Sequence, residues 1–199
     1  MKTDIILAGV GGQGILSIAT VLANAALAGD LHIKQAEVHG MSQRGGDVHS
    51  MLRLSDEPIA SDLIRRGTAN LIVSLEPMEA LRYLQYLGKS GWIITNTVPT
   101  LNIAGYPETE AVMAELDRHG NVIAINVDEM ARAISAPRSA NMVLLGAASP
   151  FVEIEAAAIE KAIGTVFGPK GQPIVDVNIR AFRAGRHHAL EQRQPQSEC

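Results

Sequence analysis

Residues 1–28 read MKTDIILAGVGGQGILSIATVLANAALA. Ile5 to Ala8 is an apolar run, and glycines follow at 9, 11, 12 and 14. A short apolar run bounded by glycine reads as a buried strand. Ile15 to Ala28 then reads as a helix rich in Ala and Leu, with small residues suited to close packing on a sheet. Strand, glycine turn and helix make the first unit of a sheet with helical crossovers.

The glycines let the backbone turn sharply and pass close to a neighbour. The helix is expected to begin near Gln13, with its first N–H groups facing the turn. Such a helix start suits a phosphate or carboxylate. Gly9, Gly11 and Gly14 also satisfy G-x-G-x-x-G formally. A dinucleotide site further asks for an acidic residue about 20 positions on, at the end of the second strand. Asp30 lies ahead of that strand, and Glu37 comes late. Four readings stay open here: a dinucleotide, another anion, a partner segment, or a bare structural turn.

The pattern continues as alternating strands and helices. Strands are expected at 31–38, at His49 to Leu54, at Asn70 to Leu75, in GWIITNT and in NVIAINV. Helices are expected over EPMEALRYLQYL, with Pro77 at its start, and over Glu110 to His119 and Asp128 to Ala136. Three more follow in SANMVLLGAASPF, from Glu153 to Phe167 and from Val175 to Ala184. This order predicts an α/β, three-layer, Rossmann-like fold with a mostly parallel sheet. Ligands on such sheets meet the C-terminal ends of the strands. One domain over 1–186 is expected, followed by a flexible polar tail over 187–199.

Composition narrows the function. The 199 residues suffice for one core. Aromatics are 4% and net charge is −4, so base stacking and phosphate-backbone binding lack material. No nucleic-acid partner is expected. No secretory leader and no apolar run of membrane-spanning length is apparent, so a cytoplasmic protein without membrane contact is expected. The one cysteine, Cys199, cannot build an internal disulfide or an iron–sulfur cluster. The six histidines show no zinc spacing, and no metal site is expected.

The richest chemistry lies in VHGMSQRGGDV, residues 38–48. Arg44 offers a planar five-donor cation suited to phosphate or carboxylate. Gly45 and Gly46 allow close approach of the main chain. Ser42 and Gln43 add neutral hydrogen-bonding groups, and His39 titrates near neutrality. The plainer reading is a polar loop in which Arg44 pairs with Asp47 or Glu37. No catalytic residue is assigned. Ser42 and His39 lack a nucleophile elbow, and Glu76 and Glu79 read as helix caps rather than an acid–base pair. Asn141 and Asn178 interrupt apolar helical patterns and are expected in a buried hydrogen bond or at the site rim.

Taken together, GVGGQG and EVHGMSQRGG resemble the gamma domain of the 2-oxoacid:ferredoxin oxidoreductases, most nearly the indolepyruvate branch with its small beta subunit. Gly9, Gly11, Gly12, Gln13 and Gly14 match the family's glycine turn. Gly40, Arg44, Gly45 and Gly46 match its R-G-G loop, although many relatives carry tyrosine where this chain has His39. Asn141, Leu145, Gly146 and Ala147 match a third motif, and Asn178, Ala181, Phe182 and Gly185 a fourth. The likeness covers residues 1 to 186.

The resemblance implies a supporting subunit in thiamine-dependent oxidative decarboxylation of arylpyruvates to acyl-CoA. No cofactor is expected on this chain alone. Thiamine diphosphate and iron–sulfur clusters would sit in a large alpha subunit, ferredoxin would be reached through the complex, and coenzyme A would be cosubstrate. The expected contact residues are Gly9, Gly11, Gly12, Gln13, Gly14, Ser42, Arg44, Gly45 and Gly46. A homodimer is also open. The competing reading is a stand-alone module that binds coenzyme A or a nucleotide.

Overall fold

The computed structural model describes residues 1–39, 46–101 and 105–193. The first strand, β1, spans Lys2–Val10, and the first helix, α1, spans Ile15–Ala28 as the sequence pattern indicates. Next come β2 (His32–His39), β3 (Asp47–Ser55) and β4 (Ala69–Ser74). Then follow α2 (Pro77–Arg82), β5 (Leu87–Asn96), α3 (Thr109–Asp117) and β6 (Val122–Ile125). The C-terminal part is helical: α4 (Val127–Ala133), α5 (Ala140–Ala148), α6 (Ala156–Phe167) and α7 (Gln172–Arg193).

The sheet order is β2-β3-β1-β4-β5-β6. β1, β4, β5 and β6 are mutually parallel. β3 runs antiparallel to both β1 and β2, so β2 points the same way as β1. The mostly parallel expectation holds, with one reversed strand. That reversal brings the end of β2 and the start of β3 to the same rim as the end of β1.

Alternation along each strand sends side chains to two cores. Ile5, Leu7, Leu71, Val73 and Ile94 face α1, α5, α6 and α7. Ile6, Ala8, Ile72 and Ile93 face α2 and α3. The layering is therefore helix, sheet, helix, with the larger core under α5 and α7.

Three local expectations need correction. The run EPMEALRYLQYL is not one helix: α2 stops at Arg82, a single tight turn covers Leu84–Tyr86, and Leu87 opens β5. The helix expected from Glu153 begins at Ala156. The chain does not loosen at Gly185 or at 187, because α7 continues to Arg193. Ala189 is fully buried, Arg193 donates to the Pro150 carbonyl, and its guanidinium lies 5.2 Å from the Phe151 ring centre. Residues 194–199 lie outside the described residues.

Gly185 belongs to this helix because it is a crossing point. A Cβ there would sit 1.9 Å from the Val143 carbonyl oxygen, and one on Gly146 would sit 1.9 Å from that of Phe182. Two glycines thus let α5 and α7 meet backbone to backbone. Gly146→Ala and Gly185→Ala should each cost about 3 kcal/mol or more, because backbone must move to admit the methyl. Urea denaturation measures this, and an unchanged midpoint in either variant would contradict the crossing.

Candidate functional site

The glycine turn lies at the C-terminal rim of the sheet, where β1 ends beside β4. Gly9 is still in the strand, opposite Val48. Gly14 is the residue ahead of α1 and adopts left-handed backbone, φ +83°. The helix therefore starts at Ile15 rather than near Gln13.

Gln13 is released from the helix and folds back into the crevice between β1 and β4. Its Oε1 accepts from the Val10 N–H at 2.7 Å. Its Nε2 donates to the Leu75 carbonyl at 3.2 Å and to Thr100 Oγ1 at 2.9 Å. Asn96 Nδ2 also reaches the Leu75 carbonyl, at 3.3 Å. In doubly wound sheets this crevice receives the ligand, because the chain leaves it in opposite directions on its two sides. Here the protein's own amides fill it. A Cβ on Gly9 would meet Gln13 Oε1 at 2.8 Å, which explains the glycine at that position.

A dinucleotide reading meets two further obstacles. Asp30 lies beyond the far end of α1, one helix length from the rim. Glu37 is on β2, which β3 separates from β1. Neither is placed to hold a ribose beside the turn.

The two glycine-bearing loops do meet. The Gly11 N–H donates to the Gly46 carbonyl at 2.9 Å. Gly12, at φ +100°, is exposed, with open space where a Cβ would be. Gly11, Gly12 and Gly46 thus form one small patch of rim backbone. Gly40, Ser42, Arg44 and Gly45 lie outside the described residues. Asn141, on the first turn of α5, donates through Nδ2 to the Gly14 carbonyl at 3.2 Å, which ties a second motif to the turn. Asn178 donates to the Ile174 carbonyl one turn back in α7.

On the other face of the sheet, a polar cluster anchors the start of β3 just after Gly46. Tyr83 Oη lies 2.9 Å from Asp47 Oδ2 and 2.7 Å from His49 Nδ1. The phenol has one proton, so a consistent arrangement has it donated to Asp47 while a neutral His49 donates its ring N–H to the phenolic oxygen. Burial holds His49 below the usual histidine range, and the nearby Asp47 partly offsets this. Burial and the Asp47 carboxylate push the Tyr83 phenol upward, so it stays protonated.

Glu79 sits in the same cluster and holds Arg82 through two bonds, at 2.8 and 3.1 Å. Burial raises its pKa while Arg82 pulls it down. The neighbouring Glu76 is 2% exposed. It caps α2 through the Glu79 N–H and accepts from Tyr106 Oη at 2.5 Å. The capping expectation for the glutamates is met by Glu76, whereas Glu79 serves as an ion-pair partner. Sequence reading named Asp47 only as a possible partner of Arg44, and missed Tyr83, Tyr106 and Thr100. Pro77 at a helix start was the one local signal that Glu76 would be a cap.

Residues 4–188 match the family described as pyruvate ferredoxin/flavodoxin oxidoreductase. The chain is 35% identical to the indolepyruvate oxidoreductase subunit IorB of Archaeoglobus fulgidus, over 97% of this chain and 98% of that one. Its fold is similar to the gamma subunit of a keto/oxoacid ferredoxin oxidoreductase from Geobacter sulfurreducens PCA. That match has a TM-score of 0.72 and 22% identity, over 96% of this chain and 98% of that chain. A 2-oxoglutarate:ferredoxin oxidoreductase from Magnetococcus marinus, with 2-oxoglutarate, coenzyme A and succinyl-CoA bound, aligns with a TM-score of 0.75 and 22% identity. It covers 96% of this chain and 31% of that chain.

Two outcomes follow from the geometry. Gln13→Glu retains the acceptor for Val10 but turns a second oxygen toward the Leu75 carbonyl. It should cost about 2 kcal/mol at neutral pH, and the loss should narrow on acidification as the new carboxyl regains a proton. His49 is harder to protonate folded than unfolded, so its contribution to stability is full above the ordinary histidine range. That contribution declines as pH falls through the range. Urea midpoints across pH should therefore fall more steeply on acidification in the wild type than in His49→Gln. Parallel curves would show that His49 is not the titrating group.

Proposed function

This chain belongs to the pyruvate ferredoxin/flavodoxin oxidoreductase family, and on that footing we propose that it works in the cytoplasm as the small, beta-type subunit of an indolepyruvate-class 2-oxoacid:ferredoxin oxidoreductase. In this role it supports oxidative decarboxylation of an arylpyruvate to acyl-CoA and carbon dioxide, with two electrons delivered to ferredoxin. The similarity to a named small subunit over nearly the whole of both chains supports the assignment.

The observation that carries it is the character of the rim. Where a free-standing nucleotide-binding domain opens a crevice, this chain closes it with Gln13 and Thr100. Among the described residues, glycine backbone and several apolar side chains face outward there. Val38 is 51% exposed, Val98 37% and Leu101 74%, and all three belong to segments at this rim. A filled crevice under an apolar rim suits contact with another protein surface.

The family implies an iron–sulfur centre, and the residues of this chain do not fit one. Such a cluster is held by several thiolates, and the chain has a single cysteine. Among the described residues no three His, Cys, Asp or Glu side chains gather as a ligand set. In this reading the clusters and the thiamine diphosphate belong to a large alpha subunit. The R-G-G loop, through Ser42, Arg44, Gly45 and Gly46, then meets either a coenzyme A phosphate or a carboxylate of that partner. No helix among the described residues is long and apolar enough to cross a membrane.

Purification of the tagged chain from its own cells tests the reading. The expected result is a large thiamine- and iron-containing partner and arylpyruvate-dependent dye reduction that disappears when this chain is removed. A chain that purifies alone, without activity, would refute it. Val98→Asp and Leu101→Asp should leave the melting temperature of the isolated chain unchanged. Each should weaken assembly about tenfold or more, as removal of an apolar anchor does.

A further inference from the structure

With 15% of its side chain exposed, His49 is a titratable group that the subunit role leaves without a task. Its ring lies between β3 and the end of α2, 4.7 Å from that of Tyr83, and its Nδ1 is committed to the Tyr83 hydroxyl. Opposite it in the sheet stand Ala8 on β1 and Val38 on β2, both apolar. The ionisable groups around it are Asp47, two residues back on β3, and Glu79, Arg82 and Tyr83 from α2 and its cap. Tyr86 reaches Tyr83 from the following turn, 6.3 Å between ring centres. Glu76, at the other end of α2, is bonded to Tyr106 instead.

Three features couple this ring to the rim. First, the anion beside it is already engaged. Asp47 Oδ2 lies 3.8 Å from Nδ1, too far for a hydrogen bond, while the Tyr83 hydroxyl is within 3.2 Å of both carboxylate oxygens. A proton on His49 therefore brings charge between apolar neighbours while the nearest carboxylate is held elsewhere. Second, the ring is open to protons. Its Nε2 has no hydrogen-bond partner among the described residues, and no sealed-in side-chain polar atom among them lacks one, so water reaches Nε2. Third, the cluster is continuous with the rim. Asp47 follows Gly46, whose carbonyl receives the Gly11 N–H, and Tyr83 pins Asp47 to α2. Val38, 51% exposed and one of the apolar side chains assigned to the partner contact, stands opposite His49 in the ladder.

We propose that His49 makes docking at this rim proton-sensitive. With a neutral imidazole, the Tyr83–Asp47 pin holds the start of β3, and Gly46 with it, in the shape that a partner surface meets. An exposed imidazole takes a proton more readily than this one, so acid favours separation of Tyr83 from β3. A partner lying on Val38 removes further water from His49, so association also favours the neutral ring. The two effects share one sign: docking weakens as pH falls through the ordinary histidine range. The proposal rests on the subunit reading for its partner, but not for the behaviour of the pin.

Two measurements test it. In the isolated full chain, hydrogen exchange reads the protection of the Gly11 amide and of β3 from Asp47 to Ser50. Wild-type protection there should fall on acidification while β6, at the far edge of the sheet, stays level. His49→Gln should remove that fall, and Tyr83→Phe should lower protection about tenfold already at neutral pH. In the complex purified through the tagged chain from its own cells, release of the large subunit is followed over the same pH range. Affinity should drop on acidification by no more than about tenfold per pH unit, the limit for one proton. His49→Gln should flatten this dependence, and His119→Gln, on an exposed turn, should leave it as in the wild type. Equal pH dependence in wild type and His49→Gln, or tightening on acidification, would overturn the proposal. A chain that finds no partner refutes the subunit reading, and exchange alone then decides the pin. A partner whose hold is indifferent to His49 refutes proton-sensitive docking and leaves the subunit reading standing.

Discussion

The side-chain amide of Gln13 holds the rim together. It bridges the last N–H of β1, the carbonyl that follows β4 and a hydroxyl that follows β5. Those three chain segments leave the sheet in different directions, and among the described residues no other side chain bonds to all of them. One residue can do this because a primary amide both accepts and donates twice. Its position outside α1 matters as much as its chemistry. Left-handed backbone at Gly14 delays the helix start to Ile15 and frees Gln13 to turn inward. The glycine turn is thus an architectural device before it is a contact surface.

The neighbouring glycines follow from that arrangement. Gly9 leaves room for the glutamine oxygen, and a side chain on Gly14 would strike Asn141. Asn141 in turn fixes the start of α5 to the turn. Farther along, α5 is pressed against α7 by the facing pair Gly146 and Gly185. Three of the four motifs visible in the sequence are therefore linked mechanically, from rim turn to helix start to helix crossing. The remaining one, the R-G-G loop, joins them at the hydrogen bond from Gly11 to Gly46.

Local periodicity carried most of the fold. Ile5 to Val10, NLIVSL and GWIITNT could be read as strands because apolar runs bounded by turn residues have few other solutions. The end of α1 at Ala28 was equally plain. Reading failed where a residue serves a distant partner. Gly185 resembles a helix terminus until the α5 backbone is seen against it, 42 residues away in sequence from Val143 (185 − 143). The polar residues after it are the outer face of a helix whose inner face is only Ala189 and its neighbours. Tyr83 meets Asp47 across 36 positions, and Gln13 meets Thr100 across 87. No local pattern encodes such pairs.

The length of α7 has a mechanical consequence. At 1.5 Å per residue its 22 residues make a rod of about 33 Å. The Gly185 contact lies a little past its middle, so the rod has a fulcrum. One arm carries Asn178, and the other carries Arg193 over Phe151, whose ring meets Trp92 at a tilt, 4.5 Å between centres. Because the crossing is backbone on backbone, no side chain lies between the two helices there to take up a change in their spacing. The helix separation at that point is therefore set by main-chain atoms, and the burial of Ala181, Phe182 and Ala189 on either side of it follows from that separation.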